Sequence, residues 1–140
     1  MMYLSLFTDE FYQDVYEVLP KVAAWGMKYV DFRAMINGKP IEKQSVEELK
    51  KLKSTLDSLG LKTGVIQSSL CKVHLPDADG VKAEMEKLGG IIRASEILDC
   101  NLVRSFFFWQ HNQNDPACGE LAMRPDALAK VLEMFDPFAK

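Results

Sequence analysis

The chain has 140 residues, of which 48% are apolar and 26% charged, and a formal net charge of −3. That is enough chain for one domain with a core and too little for two, and the composition excludes a disordered polymer. No dense Lys/Arg block gives the electrostatic footprint of a nucleic-acid binder, and no apolar run approaches the roughly 20 residues that cross a bilayer, so neither nucleic acid nor membrane is an expected partner.

The first predicted element is a strand, YLSLFT (residues 3–8), followed by a helix over residues 14–25. Val15, Val18, Leu19 and Val22 recur there at helical spacing, and Gly26 suits the cap. Pro20 falls inside that pattern, where it removes a donor and predicts a kink or a late start to the regular helix. The second strand is KYVDFRA (residues 28–34), and NGKP marks a turn in the loop after it. SVEE, from Ser45 to Glu48, has the form of a capping box. The helix it opens places Val46, Leu49, Leu52, Leu56 and Leu59 on one face and stops at Gly60.

LKTGVIQSS (residues 61–69) is the third strand, and a helix over residues 79–98 follows the loop after it. Gly89 and Gly90 interrupt that helix, each at about 1 kcal/mol relative to Ala, which predicts close packing or a local bend. The fourth strand is NLVRSFFFW (residues 101–109). A long polar loop leads to a last helix opening at RPDAL, with an apolar stripe of Leu128, Val131, Leu132 and Phe135.

The order is βαβαβαβα, and crossover helices make the strands parallel. Either an open doubly wound sheet or part of a (β/α)8 barrel accommodates it. Asp31 and Arg33 share one face of the second strand and Arg104 lies inside the fourth, which suits a barrel interior better than a central strand covered on both faces. TDEFYQD after the first strand is no Gly-rich phosphate loop. The fold class is therefore α/β, the first four strands of a (β/α)8 barrel, with residues 1–140 as its N-terminal half. The chain stops at FDPFAK with no strand following, the expectation for a truncated sequence or a piece of a larger assembly.

TDE, WGMKYVDFR, LGLKTGVIQSSLCKV and NLVRSFFFW, in this order and spacing, resemble the sugar phosphate isomerase/epimerase family of xylose-isomerase-like TIM barrels. The resemblance spans the whole chain but only the first half of the family's barrel. It implies a divalent metal (Mn, Mg, Co or Zn) in the full-length protein, and aldose–ketose interconversion or epimerisation beside a carbonyl, on a sugar or sugar phosphate. The family's metal-binding and proton-transferring carboxylates belong to strands five to eight, so none is carried over. This chain is expected to bind no metal and to be inactive alone.

The resemblance carries over a substrate-side wall. Arg33 closes an acid-x-Arg pattern, Lys72 matches a recurring Gly-Lys with Cys71 in place of the glycine, and Arg104 matches a recurring Val-Arg. The usual Leu-Gly before the fourth strand is replaced by Asp99-Cys100-Asn101, where Asn101 is able to turn left-handed. Trp109 and Phe108 offer an apolar wall for a sugar and His111 a rim hydrogen bond. The apurinic-endonuclease branch has zinc-binding histidines where this chain has Gln67-Ser68-Ser69 and Phe106-Phe107-Phe108, against a nuclease reading.

Plainer readings stand beside these. Asp31, Arg33 and Arg104 form an interior ion-pair network, Lys72 and His111 are solvated loop residues, and Asp9 and Glu10 are loop carboxylates, one of them capping the first helix. The two histidines, His74 and His111, form no ligand pair. Three cysteines without a C-x-x-C pair, behind a start lacking a signal peptide, indicate free thiols in the cytosol. A non-catalytic half-barrel whose open edges recruit a second copy is the other functional class, giving a homodimer as a partner state.

Overall fold

A computed structural model describes residues 4–11, 14–73, 78–106 and 125–139. They fall into two compact units, Met1–Ser68 with Gly89–Arg104, and Ser69–Leu88 with Ser105–Lys140.

The first unit is built on a parallel sheet of β1 (Tyr29–Arg33), β4 (Lys62–Gln67) and β5 (Val103–Arg104), in that order. Phe7 adds a parallel bridge to Asp31 on the outer side of β1, and the Asp31 N–H donates to the Leu6 carbonyl at 2.9 Å. The four predicted strands thus lie side by side in sequence order. Among the described residues the outer two are shorter than expected: there Phe7 is the sole bridged residue of the first run, which turns at once into the 3-10 helix η1 (Thr8–Phe11). In the fourth run only Val103–Arg104 pair, and residues 107–109 lie outside the described set.

Helices α1 (Val15–Ala24) and α2 (Val46–Ser58) form where the apolar spacing predicts them. Asp14 caps α1, its Oδ1 accepting from the Tyr16 N–H at 2.8 Å, while Pro20 sits within the helix without ending it. Ser45 and Glu48 close the capping box of α2: Ser45 Oγ accepts from the Glu48 N–H at 3.1 Å and Glu48 Oε2 from the Ser45 N–H at 2.6 Å. Leu49, Leu52 and Leu56 of α2 are buried, with Val18, Leu19 and Val22 of α1 and Val30, Phe32 and Ile66 of the sheet. Each such side chain contributes about 1.5–3 kcal/mol by leaving water. Val46, by contrast, is exposed at the start of α2.

The NGKP turn proves to be a small hairpin, β2 (Met35–Ile36) against β3 (Lys39–Pro40). Asn37 and Gly38 at its tip take φ of 50° and 76°, the two positive values that suit a tight hairpin. Gln44, buried just beyond the 3-10 helix η2 (Ile41–Lys43), donates to the Ile36 and Lys39 carbonyls and holds the hairpin down. Helix α3 (Ala78–Ile97) runs through both glycines. A Cβ on Gly90 would strike the Glu42 carbonyl oxygen of η2, whereas one on Gly89 would meet nothing within 4 Å. Close packing therefore explains Gly90 but not Gly89.

After α3 it is Asp99 that takes the left-handed conformation, at φ 52°, and not Asn101 as its residue type suggested. A short polar side chain is among the few that tolerate this region. In the second unit, α4 (Pro125–Ala139) buries Val131 but leaves Leu132 at 54% exposure, so Leu132 falls outside the expected stripe. The side chain of Leu128 lies outside the described set.

Candidate functional site

Parallel strands bring their C-terminal ends to one edge of the sheet, and in the first unit that edge collects Arg33, Gln67 and Arg104 together with η1. Arg33 is gripped from η1. Its Nε donates to Asp9 Oδ2 at 3.0 Å, its Nη1 lies 3.6 Å from Glu10 Oε1, and its guanidinium carbon stands 5.0 Å from the centroid of the Phe7 ring. The pair is partly exposed, at 42% for the Arg33 side chain and 32% for Asp9, so as a surface ion pair it adds at most about 1 kcal/mol to stability. Its effect is to point the guanidinium. Nη2 carries no hydrogen bond among the described residues. Asp9 Oδ1 is buried without a hydrogen-bond partner among the described residues.

Asp31 corrects the ion-pair network expected from the sequence. Its Oδ2 accepts from Ser5 Oγ at 2.8 Å and its Oδ1 from the Val65 N–H at 3.0 Å, with no arginine partner among the described residues. The cause lies in the register. Val30 pairs with Thr63 but Phe32 with Ile66, so β4 carries one extra residue there. Such a bulge strips a backbone N–H of its ladder acceptor. The Asp31 carboxylate takes it over, and Gly64 leaves the room: a Cβ there would come within 2.5 Å of Asp31 Oδ1. Arg104 donates through Nη2 to the Ser68 carbonyl at 3.1 Å, and Ser68 Oγ donates to the Arg104 carbonyl at 2.7 Å. These reciprocal bonds extend the pairing of β4 and β5 beyond Gln67.

Lys72 belongs to the second unit. It is exposed, with Nζ 5.4 Å from the centroid of the Phe106 ring. Cys71 before it adopts φ 55°, the conformation that a glycine at that place would favour. Glu84, only 5% exposed on α3, accepts from the Cys71 N–H at 2.6 Å and pairs with Lys87 at 2.6 Å. Burial first, then the nearby Glu84 carboxylate, pushes the Cys71 thiol up to about 11, so it is an inert thiol at neutral pH. Trp109 and His111, the remaining sequence candidates, lie outside the described residues.

Asp9, Glu10 and Glu84 are neighbours of the candidate residues that sequence reasoning did not pair. For the first two a signal existed: a turn following one parallel strand shares the sheet edge with the end of the next. Among the described residues, no three His, Cys, Asp or Glu side chains gather as a metal site, and no helix is long and apolar enough to cross a membrane.

Neither a family model nor a curated relative matches the chain. Solved structures do. A D-psicose 3-epimerase crystallised in the presence of D-fructose aligns with a TM-score of 0.66 and 17% identity, over 99% of this chain and 47% of that one. A D-psicose 3-epimerase from Clostridium cellulolyticum H10, solved with D-tagatose, gives 0.63 and 15%, over 97% and 49%. The likeness shows the fold, an α/β half-barrel as expected, and the chain spans about half the length of these neighbours.

Proposed function

We propose that residues 1–140 form the substrate-facing half of a barrel that isomerises or epimerises a small polyhydroxy carbonyl compound. The observation that carries this reading is the fold likeness to two sugar epimerases over nearly the whole chain. Arg33, held by Asp9 and Glu10, and Arg104, at the end of the adjacent strand pair, supply guanidinium donors at the edge where such barrels bind their substrates. A guanidinium in a fixed orientation donates well to hydroxyl, carbonyl or phosphate oxygens. Lys72, Trp109 and His111 are further candidates for substrate contact in this reading, carried by the sequence resemblance.

A divalent metal implied by the fold would need carboxylates or imidazoles close together. Among the described residues no three such side chains gather, so these residues do not fit that role. Their work is to bind and orient sugar oxygens. A reducing, cytosolic setting suits the unpaired Cys71 and Cys100.

Ligand-observed NMR with D-fructose and D-tagatose tests the reading, run beside their phosphate esters and with glycerol as control. Ketohexose binding should appear and should weaken about tenfold in Arg33→Gln, the loss of one charge-assisted hydrogen bond. Epimerisation by this chain with added Mn²⁺ should be undetectable. Absence of sugar binding sinks the substrate assignment; turnover by the chain alone sinks the division of labour.

A further inference from the structure

Each outer edge of the sheet of the first unit, as the described residues form it, carries an exposed leucine. On one side runs the segment that bridges β1 at Phe7, with Leu4 at 76% exposure. On the other is β5, the last strand in the order, preceded by Leu102 at 59%. The Leu102 carbonyl already accepts from the Ile66 N–H, so this residue is part of the edge itself. Among the described residues neither edge has a further strand beside it. Unpaired parallel edges with apolar side chains are templates for another strand.

We infer that a second copy of this chain closes both edges at once. The four strand positions run in sequence order and point the same way. A two-fold axis along the strand direction then sets residues 4–7 of one copy against β5 of the other, parallel, and repeats the contact on the opposite side. The interface as a whole is isologous about that axis, so it closes after two copies and leaves no edge for a third. Four positions taken twice make the eight of a barrel. The inference rests on the half-barrel fold and not on sugar chemistry, so it fails or stands apart from the substrate proposal.

Size-exclusion chromatography with light scattering on the 140-residue protein tests it. The expected mass is twice the 15.9 kDa of one chain. Leu4→Lys and Leu102→Lys should each raise the dimer dissociation constant about tenfold or more, since a charge replaces a desolvated contact. Trp25→Ala, which removes an exposed aromatic (61%) at the end of α1, should leave the mass unchanged. Circular dichroism checks that the variants fold. If the lysine variants unfold, amide exchange on the wild type decides, with protection at residues 4–7 and 102–104 rising as protein concentration rises. A folded monomer at tens of micromolar, protection independent of concentration, or a dimer broken by Trp25→Ala and indifferent to both lysines overturns the inference.

Discussion

Gly89 and Gly90 are neighbours on one helix, yet alanine at the two positions should act with opposite sign. In a helix interior Gly→Ala gains about 1 kcal/mol from propensity alone. At Gly89 nothing lies within 4 Å of the new Cβ, so Gly89→Ala should keep most of that gain. At Gly90 the Cβ would meet the Glu42 carbonyl oxygen, with the Glu42 Cβ at 2.9 Å and its carbonyl carbon at 3.0 Å. Backbone cannot rotate aside as a flexible side chain does, and that same carbonyl accepts a hydrogen bond from Arg93 Nη2 at 3.2 Å. Overpacking of this kind costs about 2–3 kcal/mol, so the net effect of Gly90→Ala is a loss of about 1–2 kcal/mol. The two variants should differ by about 2–3 kcal/mol. Urea unfolding followed by circular dichroism reads this directly. With an m-value of about 1.5 kcal/mol/M, the two midpoints lie about 1.3–2 M apart, one on each side of the wild type. Equal stabilisation by both alanines would refute the close approach of α3 to η2.

Asp31→Ala should destabilise by about 1–3 kcal/mol in the same assay, because it leaves the Val65 N–H without its acceptor inside the β4 bulge. Asp31→Asn, which retains an acceptor oxygen, should lose less. The Glu48 carboxylate is held below its ordinary 4.5, first by its hydrogen bond with Lys39 and then by the Ser45 backbone N–H. A carboxyl whose folded value is depressed lends stability that is full above pH 4.5 and is given up as pH falls through the folded value. Glu48→Gln should therefore flatten the acid limb of stability against pH while changing neutral stability less than Ser45→Ala, which removes the cap at about 1 kcal/mol. An unchanged acid limb in Glu48→Gln would refute the linkage.

The elements carried by period and capping were readable before any coordinates. SVEE announced α2 because a cap is a local device, and the leucine spacing named its buried face. The hairpin of β2 and β3 was readable only as a turn, since strands of two residues are too short to show alternation. Asp31 went to the wrong partners because charges invite pairing with charges. A one-residue bulge in another strand has no local signature, and it is the bulge that created the backbone donor Asp31 serves. At the candidate site, Arg33 was legible as a strand-end guanidinium, whereas its grip by Asp9 and Glu10 depends on η1 folding back over the sheet edge. Glu84 looked like any helix-surface acid; its burial under the Cys71 turn is a tertiary fact.

The close contact between Asp31 and Gly64 has a consequence for how this sequence is able to drift over generations. While the carboxylate occupies the space above residue 64, any side chain there meets an oxygen at 2.5 Å, so glycine is the tolerated choice. Shorten residue 31 to alanine or serine and that prohibition lifts, but the Val65 N–H then needs a new acceptor. Neither change is neutral alone, and the two positions should mutate as a coupled pair, 33 residues apart in the chain (64 minus 31) and adjacent in the sheet.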